Sequence, residues 1–272
     1  MWYNSTVLSP KERKVPCLEA VKVTLVANAG VLVEYKGLRY LIDGIHTNDY
    51  LEFNGVPQNV LGEMLCGFGP LADIDYLLFT HEHIDHFMAG LTQTYVQNNR
   101  VQGMVLPAQG GGRLAALKEY ADLTGVEYLA PVLADGESFR TTLGNADLVV
   151  AGMRHTGAQF RDVQSCSFLL NFEGKSLLFT GDSEHLPAWF ASALAGTHTD
   201  VMFVNPLFYL NSSGQKIIEN LAPSTVVIYH LAEAKDGVMS PFQRAVLRDA
   251  EKNAPLNYRL VLLDQMGQTE LF

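Results

Sequence analysis

A short polar segment of the sequence concentrates residues that can bind metal. It follows the apolar run at residues 75–80 (DYLLFT) and contains His81, His83, Asp85 and His86. Three of the eight histidines in the chain fall within these six positions, which a merely solvated polar loop would not require. Imidazole and carboxylate are the groups that zinc and similar divalent ions prefer as ligands. We therefore predict a metal site here.

The spacing inside this segment suits two metal ions. Residues two apart point to the same side of an extended chain, so His81 and His83 can share one ion. If the chain turns after them, Asp85 and His86 point elsewhere and can serve a second ion. A strand that runs into a tight loop presents such side chains at the edge of a sheet, where ligands commonly bind.

The pattern His81-x-His83-x-Asp85-His86 resembles the HxHxDH signature of the metallo-β-lactamase superfamily. Three later residues, each at the end of a predicted strand, strengthen the resemblance. They look like the family's next histidine ligand, its bridging aspartate and its last histidine, and are His155 in GMRHTG, Asp182 in LLFTGDSE and His230 in VVIYHL. The resemblance runs from about residue 21 to residue 230.

Three further residues are candidates for supporting roles at this site. Asp43 in YLIDG is similar to a structural aspartate of the family, and we expect it to accept a hydrogen bond from a ligand histidine. His46 could line the pocket. Phe87 stands where family members often continue with small, glycine-rich residues, so it could narrow the pocket.

The resemblance implies two metal ions and seven ligand residues. The first ion would be held by His81, His83 and His155, the second by Asp85, His86 and His230, with Asp182 as the bridge. Two ions about 3.5–4 Å apart can lower the pKa of a shared water to about 7 and so supply hydroxide at neutral pH. Asp85 or Asp182 could accept the proton of that water, which makes both candidate catalytic residues. Zinc is the first expectation because the ligands are rich in imidazole, although manganese and iron suit the same set.

The function implied is metal-dependent hydrolysis of a small ester, lactone, amide or phosphoester. The alternatives are a di-iron redox enzyme or dioxygenase on the same fold, a phosphodiesterase, and a metal-binding scaffold without activity. Arg113 or Arg161 could pair with an acidic substrate, whereas Arg154 should point away from the neighbouring His155. An apolar wall at the mouth of the site could be formed by Phe53, Met64, Phe68 and Phe87.

Short apolar runs separated by turns predict strands with helices between them. Residues 20–27, 31–35 and 39–43 predict a β-meander. Further strands are predicted at 75–80, 101–106, 147–154, 165–172, 176–180, 200–205, 225–230 and 258–263, and helices at 113–123, 187–195, 216–221 and 241–252. With the resemblance, this pattern predicts an α/β (α+β) fold, a four-layer αββα sandwich of two mixed β-sheets flanked by helices.

The length of 272 residues lies near the upper limit of roughly 250–300 for a single core. We therefore expect one domain over residues 1–272. Residues 44–73 break the strand pattern and suggest a loop with a short helix. We expect this segment to form a lid or to line the pocket, with a plain surface excursion as the alternative.

Charge and cysteine content exclude several classes of protein. Twenty-nine acidic and nineteen basic residues give a formal net charge of −10, which repels phosphate backbones. We therefore expect a small-molecule substrate rather than a nucleic-acid partner. The sequence contains no apolar stretch of the roughly 18 residues that a membrane span needs, and its opening residues lack the apolar run of a signal peptide. Three well-separated cysteines do not suggest a disulfide framework or a thiolate zinc site, and we expect a cytoplasmic protein.

Overall fold

Two β-sheets pack face to face and helices cover both of their outer faces. The structure is a computed structural model, and it describes residues 19–47, 54–232 and 238–272. The arrangement confirms the predicted four-layer αββα sandwich.

The first sheet holds strands from the N-terminal half together with a strand from the end of the chain. Within the described residues its strands are β1 (Lys22–Leu25), β2 (Val31–Tyr35), β3 (Leu38–Ile42), β4 (Tyr76–Leu78), β5 (Gly103–Val105), β6 (Glu127–Leu129) and β14 (Thr269–Leu271). They lie in the order β14-β1-β2-β3-β4-β5-β6. β1, β2 and β3 form the predicted antiparallel meander, whereas β3 to β6 pair in parallel. The sheet is therefore mixed.

The second sheet follows the same plan with later strands. In the part of the chain that is described, these are β7 (Ser138–Leu143), β8 (Ala146–Arg154), β9 (Gln164–Phe172), β10 (Lys175–Phe179), β11 (Val201–Val204), β12 (Thr225–Ile228) and β13 (Arg259–Leu262). Their spatial order is β13-β12-β11-β10-β9-β8-β7. β7 to β10 pair antiparallel and β10 to β13 pair in parallel.

The helices divide between the two outer faces. The first sheet is covered by α1 (Gln58–Leu65), α2 (Ala89–Asn98) and α3 (Gly111–Thr124), and the second by α4 (Pro187–Ala193), α5 (Pro206–Leu210), α6 (Ser212–Leu221) and α7 (Pro241–Lys252). Leu61 and Leu117 are buried on the first side, and Phe190 and Ile217 on the second. Each layer of helices thus shields the apolar side chains of one outer sheet face from water. Burial of apolar surface is the main stabilising contribution in such layered folds.

Large apolar side chains fill the space between the sheets. The rings of Phe179 and Phe203 stack with centroids 4.4 Å apart, and Phe168 lies in the same cluster. All three are fully buried, and burying a side chain of this size contributes about 1.5–3 kcal/mol. This core fixes the two sheets against each other and therefore fixes the relative positions of their strand ends.

The strand directions bring several strand ends to one edge of the sandwich. β1 and β3 run the same way because both pair antiparallel with β2, and β4 is parallel to β3. In the second sheet β8 and β10 both oppose β9, and β11 and β12 are parallel to β10. The loops that follow these strands consequently emerge together. Backbone bonds join the sheets at this edge, from Cys166 N to Thr80 O (2.8 Å) and from His230 N to Asn28 O (3.0 Å).

Several elements of the structure have no counterpart in the sequence prediction. The strands β6, β7 and β14 and the helices α2 and α5 were not predicted. β7 lies at a sheet edge and contains only half-buried and exposed positions, so no apolar run marks it. α2 contains Gly90, Thr92 and Thr94, which are weak helix formers, and its helix is stabilised by packing of Tyr95 and Val96 in the core.

Residues 1–18, 48–53 and 233–237 lie outside the described residues, so a single domain over 1–272 stays a prediction. Among the residues that are described, no helix combines the length and apolar character needed to cross a membrane. Cys66 and Cys166 are both free.

Gly214 in α6 permits an approach to the end of α5 that a side chain would block. A Cβ atom at this position would lie 1.9 Å from the carbonyl oxygen of Phe208. We expect Gly214→Ala to lower the free energy of unfolding by about 1–3 kcal/mol, because the backbone must shift to remove the overlap. Urea unfolding followed by circular dichroism measures this change.

Gly62→Ala in α1 is the matched control, since a Cβ there meets no atom within 4 Å. It should raise the free energy of unfolding by about 0.5–1 kcal/mol, as expected for alanine in place of glycine inside a helix. If Gly214→Ala does not lower the free energy of unfolding relative to the unmodified protein, the result would contradict the close packing of α5 and α6.

Candidate metal centre

The edge where the strand ends meet carries a dense group of imidazole and carboxylate side chains. His81 comes soon after β4, His155 directly after β8, and Asp182 and His230 soon after β10 and β12. Three overlapping groups of potential ligand atoms lie here, and within each group the atoms are no more than 4.8 Å apart. Their members are His81, His83, Asp85, His86, His155, Asp182 and His230. The structure thus brings together all seven residues that were assigned as ligands from the sequence.

The first group consists of three nitrogen atoms, one each from His81, His83 and His155. The distance from His81 Nε2 to His83 Nδ1 is 3.1 Å. That is close to about 3.3 Å, the separation of two tetrahedral nitrogen ligands that lie about 2.0–2.1 Å from zinc. His155 Nε2 is buried and has no hydrogen-bond partner among the described residues, so it is available as a ligand.

The second group consists of Asp85, His86 and His230. The Nε2 atoms of the two histidines are 3.1 Å apart. Asp85 Oδ2 lies 3.8 Å from His230 Nε2 and 4.0 Å from His86 Nε2. A turn separates these residues from the first group, because the backbone N–H groups of His86 and Phe87 both donate to the His83 carbonyl oxygen.

Asp182 forms the third group with His81 and His86, and it lies between the other two groups. Its Oδ2 atom is 3.5 Å from His155 Nε2 and 3.6 Å from His86 Nε2, and its Oδ1 atom is 3.9 Å from His230 Nε2. The Asn205 amide donates to Oδ1 over 2.9 Å and so orients the carboxylate. This is the position that a bridging ligand would occupy.

Asp43 controls the tautomers of two candidate ligands from beneath the site. Its carboxylate is fully buried and accepts hydrogen bonds from the backbone N–H of Thr80 (2.8 Å), the Thr80 hydroxyl (2.6 Å) and His86 Nδ1 (2.9 Å). Thr80 Oγ1 also lies 3.0 Å from His81 Nδ1. Because the hydroxyl proton goes to Asp43, Thr80 Oγ1 accepts from His81 Nδ1–H. Both histidines therefore keep Nε2 for another partner, as metal-binding histidines do.

Backbone carbonyl oxygen atoms can fix a histidine tautomer in the same way. His155 Nδ1 lies 2.6 Å from the carbonyl oxygen of Thr156. A carbonyl can only accept, so Nδ1 carries the proton and Nε2 is left with its lone pair. The buried, unpartnered Nε2 atom described above is thus in the correct form to bind a cation.

Asn28 is the partner of His230 on the side away from the other ligands. The side-chain amide nitrogen of Asn28 lies 2.9 Å from His230 Nδ1. The backbone carbonyl oxygen of Asn28 accepts a hydrogen bond from the His230 backbone N–H. For Nε2 of His230 to bind a cation, Nδ1 must carry the proton, and the amide must then present Oδ1 to it. Nothing in the sequence singled out Asn28, which lies in the turn between β1 and β2, where asparagine is common.

The histidines and carboxylates shift one another's ionisation. Burial and the nearby charge of His86 hold the pKa of His81 well below its usual range. His86 behaves oppositely: burial lowers its pKa, but the carboxylates of Asp182 and Asp43 outweigh this and raise it well above the usual value. Burial would raise the pKa of Asp182, yet the charges of His230 and His86 hold it well below the usual range. Asp182 is therefore ionised, and the carboxylates around His86 favour positive charge at this position.

The chemistry of these residues fits divalent cations. The candidate ligand atoms are imidazole nitrogen and carboxylate oxygen, which zinc, manganese and iron accept. His155 Nε2 has no hydrogen-bond partner among the described residues and lies 3.5 Å from the Asp182 carboxylate. Hydrogen bonds on the opposite side orient the rings of His86 and His155. A cation would satisfy both the lone pairs and the negative charge.

A cleft of about 700 Å³ opens above the candidate ligands. His83, Asp85, His155, Asp182 and His230 contribute to its floor, and its remaining walls are partly apolar, with Ile84, Phe160, Pro206, Leu207 and Phe242. The Phe160 ring lies with its centroid 4.8 Å from the rings of both His83 and His155. The apolar wall therefore begins directly beside the candidate ligands.

The predicted apolar wall is wrong in its described members. Phe87 packs against Phe79 in the core, with ring centroids 4.7 Å apart, and so does not narrow the cleft. Met64 is buried in the same core, and Phe68 is exposed outside the cleft. Phe53 lies outside the described residues. Apolar character alone could not distinguish a residue of the core from one that lines a pocket.

The remaining predicted pocket residues have mixed positions. His46 is fully buried near the second ligand group but does not line the cleft. Arg154 points away from the site, as predicted, and pairs with Asp135 at 2.7 Å. Neither Arg113 nor Arg161 lines the cleft.

The segment 44–73 is described only in part, because residues 48–53 lie outside the described residues. Its helix α1 packs Leu61 and Met64 against the first sheet. None of the segment's described residues lines the cleft. A lid function for this segment stays a prediction.

Comparison with known protein families gives a match over residues 65–245 to the family described as "Beta-lactamase superfamily domain". The match covers well over half of the 272 residues. No curated protein shows significant similarity in sequence.

Several solved structures resemble this chain. One is CmlA, a diiron β-hydroxylase from Streptomyces venezuelae, with a TM-score of 0.56 and 18% identity over 93% of this chain and 54% of that chain. Others are a metallo hydrolase from Ignicoccus hospitalis (TM-score 0.59, 15% identity, 93% and 99% covered) and an isothiocyanate hydrolase from Delia radicum gut bacteria (TM-score 0.60, 16% identity, 92% and 98% covered). At these identities the likeness shows a shared fold. This chain spans only about half the length of the β-hydroxylase.

Replacing Asn28 should weaken metal binding through His230. We expect Asn28→Leu to lower the affinity for zinc by about 10–100-fold, because the ring loses the partner that orients it and holds the proton on Nδ1. Asn28→Asp supplies a carboxylate acceptor of similar size and should retain most of the affinity. Competition with a chelating dye measures both variants, and an equal loss in both would show that the hydrogen bond to Nδ1 is not what matters.

His46 should make the protein sensitive to acid. Burial lowers the pKa of His46 to about 3, with the charge of His86 acting in the same direction. In the unfolded chain the same histidine has a pKa near 6.5. As the pH falls from 6.5 towards 3, the unfolded state gains a proton that the native state does not take up. Stability from this residue is therefore lost by up to about 1.4 kcal/mol per pH unit.

The variants His46→Leu and His46→Gln both remove this titration, and only the second keeps a polar side chain. Urea unfolding between pH 7 and pH 4.5 should show a shallower pH dependence for both than for the unmodified protein. The same slope in all three proteins would contradict a buried, neutral His46.

Proposed function

The chain belongs to the metallo-β-lactamase superfamily, and on that premise we propose that it is a metal-dependent hydrolase of a small ester, lactone or amide. The observation that carries the proposal is the convergence of two ligand groups around Asp182 at the base of an open cleft. Such a combination of metal ligands, an ionised carboxylate and a substrate-sized cavity suits hydrolysis.

The chain's own residues would hold two cations. We assign His81, His83 and His155 to the first, Asp85, His86 and His230 to the second, and Asp182 to both. Five of these seven side chains are imidazoles, so zinc is the proposed metal. Cations held here would supply Lewis acidity, which makes hydroxide available near neutral pH and polarises a carbonyl group.

The two carboxylates at the cleft floor differ in their freedom to move a proton. Asn205 holds Asp182 by its Oδ1 atom, so we assign Asp182 to orientation and charge balance. Asp85 lines the cleft with 22% of its side chain exposed. It would accept a proton from the attacking water and return it to the leaving group. Hydrogen bonds from Asp43, directly to His86 and through Thr80 to His81, keep these two imidazole rings oriented while the proton moves.

A second candidate is oxidative chemistry at a pair of iron ions. The similarity of fold to a diiron β-hydroxylase supports it, and the ligand set suits iron as well as zinc. The two functions differ in metal content and in the optical spectrum, because iron absorbs visible and near-ultraviolet light in oxidised sites and zinc does not.

Protein purified without added metal should contain tightly bound divalent metal, approaching two equivalents per chain, by mass spectrometry of the metals. A panel of ester, lactone, amide and phosphodiester probes should show hydrolysis that a chelator abolishes and zinc restores. Asp182→Asn should lower kcat/KM by at least about 100-fold, since it removes a charge shared by both ligand groups.

His198→Ala is the matched control, because His198 is 74% exposed, lies 3.2 Å from Asp200 and does not line the cleft. It should match the unmodified protein in metal content and rate. Absence of tightly bound divalent ion would rule the proposal out. Iron with an absorption band and no hydrolysis would favour the second candidate, and metal-loaded protein that is silent with every probe would favour a scaffold.

A further inference from the structure

Four large apolar side chains converge on the cleft from separate parts of the chain. Ile84 belongs to the histidine-rich loop, Phe160 to a 3₁₀ helix at Ala158–Phe160, Leu207 to α5 and Phe242 to α7. Ile84 and Leu207 are each 54% exposed and Phe242 is 37% exposed. A concave group of exposed apolar side chains marks a surface that a ligand covers.

The walls of the cleft carry no described cationic side chain. Apart from the candidate ligands, Glu82 is the one charged residue among the described residues that line the cleft, and no described lysine or arginine does. A negatively charged substituent that extends along these walls, away from the ligands, would therefore meet no cationic side chain, and Glu82 would repel it. The walls favour an uncharged molecule.

Phe160 connects the apolar wall to the candidate ligands. Its ring contacts His83 and His155, with both centroid distances at 4.8 Å. A substrate whose carbonyl group reaches the candidate ligands would therefore place the adjoining part of the molecule against Phe160. Of the two groups that adjoin the carbonyl carbon of an ester or amide, the acyl chain stays attached when the bond is hydrolysed, whereas the alcohol or amine leaves.

We propose that the wall formed by Ile84, Phe160, Leu207 and Phe242 binds the acyl chain of an uncharged substrate. The substrate class is then neutral esters, lactones or amides of aliphatic or aromatic acids. The cleft of about 700 Å³ lies within the range of about 300–1,000 Å³ that is usual for small-molecule sites. The proposal rests on the proposed hydrolase function, but the wall can be tested apart from it.

A series of 4-nitrophenyl esters tests the wall in the zinc-loaded protein. From acetate to butyrate to hexanoate, kcat/KM should rise by up to about fourfold per methylene, which corresponds to about 0.8 kcal/mol for each buried CH₂. Leu207→Ser and Phe242→Ser should each reduce the ratio of the hexanoate to the acetate value severalfold. Leu123→Ser in α3 is the matched control, since Leu123 is 80% exposed and outside the cleft, and its ratio should not change.

A charged substrate tests the electrostatic part of the proposal. The ester 4-nitrophenyl hydrogen glutarate carries a carboxylate at the end of its chain, whereas 4-nitrophenyl pentanoate has a similar length without it. We expect kcat/KM for the charged ester to be at least tenfold lower. A flat chain-length series, or a preference for the charged ester, would overturn the proposal while leaving the hydrolase function intact.

Hexanophenone separates failure of the wall from failure of the function, because this neutral ketone cannot be hydrolysed. Saturation-transfer NMR should show that it binds the zinc-loaded protein and binds Leu207→Ser several times more weakly, with Leu123→Ser unchanged. This result without hydrolysis of any ester, lactone, amide or phosphodiester probe would support the wall and remove the hydrolase function. Equal binding by all three proteins, or none by any, would overturn the wall.

Discussion

A buried carboxylate, Asp43, constrains the whole reactive edge of this protein. A buried charge must be satisfied by hydrogen bonds, and Asp43 obtains them from the Thr80 backbone, the Thr80 hydroxyl and His86. The same bonds tie the start of the histidine-rich loop to the end of β3 and determine which nitrogen atoms of His81 and His86 carry protons. The need to satisfy one buried group therefore sets both the position and the chemical form of the ligands above it.

The site also depends on the contact between the two sheets. The first sheet supplies the histidine-rich loop, and the second supplies His155, Asp182 and His230. Neither sheet alone holds a complete ligand group around Asp182. Hydrogen bonds across the edge, such as that from His230 to Asn28, couple the two sets. Because the aromatic core fixes the sheets against each other, packing far from the edge determines the distances between ligand atoms at the edge.

The cleft separates reactivity from recognition. Its floor is polar and charged, where hydrolysis would occur, and its walls carry exposed apolar side chains without a described cation. Such a division allows the walls to vary in residue type without disturbing the ligands. This division is an example of function that resides in the site rather than in the fold.

The sequence determined the types of the ligands, and, through its resemblance to a known superfamily, it also predicted the architecture. The cluster from His81 to His86 is local, and a strand followed by a tight loop is enough to predict its role. Asp182 and His230 were assigned through the resemblance to the superfamily, and their positions at the ends of apolar strands agreed with that assignment. Asn28, Phe160 and Leu207 had no such signal, since each lies in a turn or a short helix whose direction no periodic pattern reveals. Only the tertiary structure decided that Asn28 and Phe160 contact ligand histidines, that Leu207 lines the cleft and that Phe87 faces the core. Contacts between distant segments depend on how the two sheets pack, not on local spacing.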